Sequence, residues 1–403
     1  MDTSRRFFPA FYLRDYRLLW IGQVISFSGT WMHATAQGWL VYSLTRSPMY
    51  LGMVAAAASL PVMLFSLLGG VAADRFRKRN LLILTQALAA LPALAIGALT
   101  QLGLIQIWQV VVFVAMLGTI NAFDIPARQS FYVEIVGREQ LLSAIALNSA
   151  AFNGARIIGP VAAGLTIAYV GLPACFYLNA LSFLAVILAL TRISTRGHVH
   201  RRQPRGLLSE LLEGMRFIRQ EPFIRTALML IACFSLLGLP FVSLLPVFAE
   251  EVLDVGAQGL GFLAASAGLG AFLAAVALGL RGSAYGKLGF MRAVAVMFPL
   301  SLLGFSLSRH YLLSLALLAV AGWALVSFLA MANSTIQLHC TDAIRGRVMS
   351  VYTLVFLGMT PFGNAFMGTA AEHLGTPQAV GAAAGLCLLW AALLGGRLRE
   401  PRG

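Results

Sequence analysis

Five polar side chains, Gln23, Ser26, Thr30, His33 and Gln37, follow one another at intervals of three, four, three and four residues. On a helix of 3.6 residues per turn that spacing makes one polar face. Asn121, Asp124 and Arg128 repeat the pattern, as do Ser149, Asn153 and Arg156, then Ser327, Ser334 and Gln337, and finally Thr353, Thr360 and Asn364. All lie inside long apolar runs. In lipid a hydrogen-bonding face is retained for binding a polar solute, for moving a proton, or for holding helices together. Single Ser and Thr positions are accounted for by interhelical hydrogen bonds alone. Charges are harder to dismiss, because an ionised side chain at the centre of a span costs about 2.5–3.5 kcal/mol on insertion scales. Arg156 has no acid within a turn and is a candidate contact for a carboxylate or phenolate. Asp124 and Arg128 stand four residues apart, as an ion pair or as a proton-responsive couple. His33 titrates near neutrality in water and is a candidate proton carrier, or a hydrogen-bonding residue. Gln23, Thr30, His33, Gln37, Asn121, Asn153, Arg156, Thr360 and Asn364 are thus candidates for a substrate-binding cavity, with Asp124, Arg128 and His33 for proton coupling.

The elements that must carry these faces are membrane helices. The 403 residues are 59% hydrophobic and 11% charged, against roughly 25% charged in soluble domains. A helix needs about 20 apolar residues to cross a bilayer, and such runs recur along the chain. They predict about twelve spans, near 16–44, 49–73, 80–102, 106–130, 139–169 and 171–191, then 222–250, 258–281, 289–307, 311–338, 345–373 and 377–396. The expected fold is an all-α membrane protein of two six-helix bundles, 1–191 and 222–403, joined by a basic stretch, 192–221. Within that stretch Leu207, Leu208, Leu211, Leu212, Met215 and Ile218 recur at helical spacing, which predicts an amphipathic helix tethering the halves on the inner face. All but three of the 29 lysines and arginines fall on one side of this topology, the exceptions being Arg46, Arg156 and Arg309. That asymmetry places both termini in the cytoplasm. The net charge of +14 therefore reads as a topology marker and not as a nucleic-acid footprint.

A break between the second and third runs, "GGVAADRFRKRN", gathers Gly70, Asp74, Arg75, Arg77, Lys78 and Arg79. Gly70 is expected to let a neighbouring helix approach, and Asp74 to pair with bases or a helix N-terminus as a latch on the cytoplasmic side. After Arg156 comes "IIGPVAAG", where Gly159 and Gly164 remove bulk and Pro160 permits a bend, so that Gly70, Asp74, Arg75, Gly159, Pro160 and Gly164 form the candidate gating set.

Together with "LRDYRLLWIGQVISFSGTWM" and "NAFDIPARQSFYVEIV", these stretches resemble the secretion-effector branch of the major facilitator superfamily, which includes enterobactin-type siderophore exporters and macrolide-efflux relatives. The resemblance covers nearly the whole chain and is most specific in the first half. It implies secondary-active export of a siderophore or amphipathic drug-like molecule, driven by a proton gradient in antiport, by a monomer in the bacterial inner membrane. The span-five motif resembles the one associated with exporters. Alternatives are a lipid or solute facilitator or importer of the same fold, and a receptor or scaffold that moves nothing.

Enzymatic and cofactor chemistry has little support. There is no GxxxxGK[ST] phosphate loop and no HExxH, so neither an ATP-driven pump nor a metalloprotease is indicated. Cys175, Cys233, Cys340 and Cys387 are scattered and read as small apolar side chains. His339, Cys340 and Asp342 make too sparse a set for a metal, as do His198 and His200. Glu250, Glu251 and Asp254 are expected on a solvated external rim.

Overall fold

With no water to satisfy backbone groups in a bilayer, an apolar run must bond to itself, and the helix is the form that does so within one segment. The computed structural model describes residues 8–195, 207–281 and 288–396. After a short 3₁₀ turn, Pro9–Tyr12, come α1 (Arg14–Thr45), α2 (Pro48–Arg75), α3 (Lys78–Gln101), α4 (Ile107–Val136), α5 (Leu141–Tyr169) and α6 (Leu172–Arg192). The helix predicted in the basic stretch forms as α7 (Leu207–Gln220). Then follow α8 (Pro222–Val252), α9 (Gly256–Arg281), α10 (Leu288–Leu307), α11 (Tyr311–His339), α12 (Asp342–Gly358), α13 (Thr360–Leu374) and α14 (Thr376–Gly395). Residues 196–206, which include His198 and His200, and residues 282–287 lie outside the described residues.

Among the described residues eleven helical segments are long and apolar enough to cross a membrane. The 32-residue α1 is not among them, since its polar positions dilute the apolar content. Two predicted spans are less regular than their hydropathy suggests. The seventh, α8, contains two π-helical turns, Phe234–Gly238 and Phe248–Val252. The eleventh is broken at Met359 into α12 and α13.

The helices group into two units. The first holds α1, most of α2, α3 to α6, and Ala257–Ala265 of α9. The second holds the start of α2 with the residue before it (Ser47–Ala56), α7, α8, the remainder of α9 and α10 to α14.

In the first unit α1 packs along α5 and α6. Tyr16 Oη and Trp20 Nε1 donate to the carbonyls of Ala144 and Leu147, each at 2.8 Å, which ties α1 to α5. Tyr16, Leu19, Leu82, Phe131 and Leu190 form a buried cluster at one end. Asp15, in the first turn of α1, accepts from the N–H and hydroxyl of both Ser194 and Thr195 at 2.6–3.1 Å, fixing the chain as it leaves α6. The helix α2 meets α4 at Gly69, where a Cβ would run into the carbonyl of Ala122. This corrects the role expected of Gly70, because a Cβ there meets nothing within 4 Å among the described residues. The close approach belongs to the preceding residue, a third of a helical turn away.

In the second unit α10 packs against α11 and α14. Gly270 and Gly322 bring α9 and α11 together, each facing a carbonyl of the other helix. The amphipathic α7 lies on α12: a Cβ at Gly214 would stand 2.8 Å from the Arg347 carbonyl, and Glu213 pairs with the Arg347 guanidinium.

Candidate functional site

Asp124 sits midway along α4, facing α3, and its side chain is only 1% exposed. Thr85 Oγ1 and Gln86 Nε2 of α3 donate to its Oδ1 at 2.7 and 2.8 Å. Arg128, one turn along α4, pairs with Oδ2. The carboxylate therefore has three donors from two helices, one of them a cation. The Arg128 guanidinium also lies over the Phe27 ring of α1, 5.0 Å from its centroid, a cation–π contact.

One turn further along α4 is Tyr132. Its hydroxyl donates to Asn148 Oδ1 at 2.6 Å and shares that single hydrogen with Gln23 Oε1. Near the end of α4, Glu134 pairs with Lys78 Nζ at 2.7 Å, the two side chains being 11% and 3% exposed. A buried ion pair, a carboxylate hub and a phenol hub are thus stacked along α4.

Arg156 of α5 differs from these groups. Its guanidinium lies over the Trp31 ring at 5.5 Å, and among the described residues it has no hydrogen bond or ion pair. Phe152 stands edge-on to both Phe27 and Trp31, with centroids 5.7 Å apart in each case. Two guanidiniums therefore flank a cluster of three aromatic rings.

The five-residue stripe of α1 is divided. Gln23 joins the Tyr132 hub, whereas His33 is buried edge-on against Phe176 of α6 at 5.0 Å. Among the described residues neither ring nitrogen of His33 meets a hydrogen-bond partner, and Gln37, one turn on, is half-buried. Thr30 is exposed and returns its hydroxyl to the Ser26 carbonyl at 2.8 Å. Asn121 is exposed on α4, and Asn153 Nδ2 donates to the Ser149 carbonyl at 2.9 Å. Thr360 and Asn364 belong to the second unit, where Thr360 donates to the Phe356 carbonyl at 3.0 Å and Asn364 is 7% exposed.

Asp74 is half-buried with no hydrogen bond or ion pair among the described residues, and Arg75 beside it is exposed. Gly159 admits α1, since a Cβ there would stand 2.7 Å from the Ser28 carbonyl. A Cβ at Gly164 would stand 2.9 Å from the carbonyl of Ala257 on α9, and the Pro160 carbonyl crowds Gly261. Cys233 and Cys387, far apart in sequence, bring their sulfurs to 3.6 Å in the second unit. In the turn after α11, burial pushes the Cys340 thiol up, which disfavours the reactive thiolate. No group of three His, Cys, Asp or Glu among the described residues is placed to hold a metal.

The profile described as transmembrane secretion effector matches residues 7–403, virtually the whole chain. The chain belongs to that family of the major facilitator superfamily. It is a transporter of this superfamily and not an enzyme. Among its relatives are the staphyloferrin A transporter of Staphylococcus aureus, 24% identical over 87% of each chain, and the multidrug efflux pump Tap of Mycolicibacterium fortuitum, 25% identical over 86% of this chain and 87% of that one. The fold is similar to that of a bacterial homologue of the human lysosomal transporter Spinster, with a TM-score of 0.75 and 14% identity over 96% of this chain and 97% of the other. The chain is an integral, multi-pass membrane protein.

Within this transporter, the residues that sequence reasoning missed are Thr85, Gln86, Tyr132, Asn148 and Glu134. A signal was present for two of them: Thr85 and Gln86 are adjacent polar residues in the apolar run "LLILTQALAAL". Tyr132 and Asn148 carry none, because each is explained only by a partner on another helix.

Proposed function

We propose that the protein is a proton-driven exporter of small amphipathic molecules bearing an anionic group, either siderophores or drug-like compounds. It works as a monomer by alternating access between two six-helix bundles, 1–191 and 222–403, in the bacterial cytoplasmic membrane with both termini inside. The observation that carries this reading is the contrast between the two arginines of the first unit. Arg128 is neutralised by Asp124, whereas among the described residues Arg156 has only an aromatic face. A cation kept in a span at a cost of about 2.5–3.5 kcal/mol, without an acid, is suited to an anionic cargo. The hub around Asp124 suits proton coupling: a proton on the carboxylate cancels the charge that holds Arg128 and frees it to move. Relatives named for staphyloferrin A transport and for multidrug efflux agree with small-molecule cargo.

The test is binding and uptake by inverted vesicles with and without a pH gradient, across pH 5.5–8.5. Arg156→Gln is expected to weaken binding of anionic compounds while the protein still folds. Asp124→Asn is expected to retain binding but lose its pH dependence and all uphill transport. If Asp124→Asn retains gradient-driven transport and His33→Gln loses it, the coupling residue is His33. Accumulation driven in the opposite direction overturns export.

A further inference from the structure

The amino end of α2 is capped from the far end of the sequence. Ser47 Oγ donates to Oε2 of Glu372 at 2.6 Å, and the Met49 N–H donates to the same oxygen at 3.1 Å. Residue 48 is proline, which has no N–H to offer, so Met49 carries the first free donor of the helix. Helix amino ends are ordinarily capped by the residue just before them, whose side-chain oxygen accepts from the second or third N–H. Ser47 occupies that place, and its hydroxyl donates to the same Glu372 carboxylate that takes the Met49 N–H. The cap is therefore a carboxylate near the end of α13, and its negative charge also sits favourably at the positive end of the helix dipole.

A second contact joins the same two helices. A Cβ on Gly368 of α13 would stand 2.8 Å from the Cα of Gly52 and 2.9 Å from the Pro48 carbonyl. A Cβ on Gly52 would collide with the carbonyl of Asn364. One turn separates Gly368 from Glu372 and about one turn separates Gly52 from Met49, so the glycine seam and the carboxylate cap form a continuous contact. All of these residues fall in the second unit, although α2 from residue 57 onward belongs to the first. The contact lies at the opposite end of α2 from the basic loop after Arg75.

We infer that Glu372 is a latch on the external ends of α2 and α13. This rests on the topology and the alternating-access cycle proposed above. Holding the cap keeps that side shut, and opening it to the exterior requires that Ser47 and Met49 leave the carboxylate.

Spin labels at the exposed positions Met53 and Leu374 report the α2 to α13 separation, and a second exposed pair, Phe76 just after α2 and Leu338 at the end of α11, reports the opposite side of the bilayer. Both are placed in the full chain, in a cysteine-free background that still transports. The wild type is expected to populate two distances at each pair, changing in opposite directions. Glu372→Ala should raise the ratio of separated to closed forms at the first pair about tenfold, as befits loss of a charged cap. Glu372→Gln keeps an acceptor without the charge and should raise it about threefold. Gly52→Ala should shift it in the same direction and provides an independent arm if Glu372→Ala does not fold. Two wild-type states with all folded variants unmoved overturn the latch alone. A wild type with one invariant distance at both ends overturns alternating access, and the latch with it.

Discussion

Neutralising Asp124 should destabilise the first unit chiefly through the arginine it leaves behind. Removing one partner of a buried ion pair costs about 3–5 kcal/mol, mostly from the stranded charge. Here Arg128 is 18% exposed and retains the Phe27 face, so for Asp124→Asn we expect about 2–3 kcal/mol. The asparagine keeps one oxygen for Gln86 or Thr85 but turns an amide N–H₂ toward the Arg128 donors. Asp124→Ala goes further. Thr85 is not stranded by it, because its hydroxyl already reaches the Leu82 carbonyl at 3.0 Å, but Gln86 loses its acceptor. That adds about 1–3 kcal/mol. Asp124→Asn combined with Arg128→Gln removes both charges, and the double variant should be more stable than the sum of the single losses by about 1–3 kcal/mol. Equilibrium unfolding in mixed micelles, applied to the four proteins of this cycle, measures the difference. Single effects that add to within about 0.5 kcal/mol refute the idea that the two charges depend on each other.

Two further outcomes follow from the packing. Gly69→Ala should lower the yield of folded protein sharply, because the new methyl enters the Ala122 carbonyl, while Gly70→Ala should be silent; thermal stability of both variants in detergent decides. Asp15→Asn should leave α1 intact but loosen the chain after α6. Amide exchange at Ser194 and Thr195 should then quicken while exchange within α1 and α5 is unchanged; equal rates in both proteins would remove the clasp from the account.

The apolar runs were enough to find the helices, since a span's length is set by bilayer thickness and its ends by Gly, Pro and charge. They could not reveal irregularity inside a run. The π turns of α8 and the break at Met359 leave hydropathy almost unchanged, because each alters backbone geometry and not composition. The Asp124–Arg128 pair was readable because it lies along one helix. Its partners Thr85 and Gln86 were not, since their meaning depends on which face of α3 meets α4. Gly69 and Gly70 make the same point: adjacent glycines are equivalent in composition, and only the rotation of α2 decides which one faces Ala122. The stripe of α1 was readable as polar spacing, but the neighbours of each position determine whether it is hydrogen-bonded, exposed or packed on an aromatic ring.

The long-range cap of α2 also constrains how the protein is made. Ser47 and Glu372 are separated by 325 residues. At roughly 5–20 residues per second, the ribosome needs roughly 15–65 s to cover that distance. During that interval the amino end of α2 is already synthesised but its carboxylate does not yet exist, and the glycine seam has only one side. The first six spans must therefore wait in the bilayer with this helix end provisionally solvated. Completion of α2 is among the last events of synthesis, although its sequence is among the first to emerge.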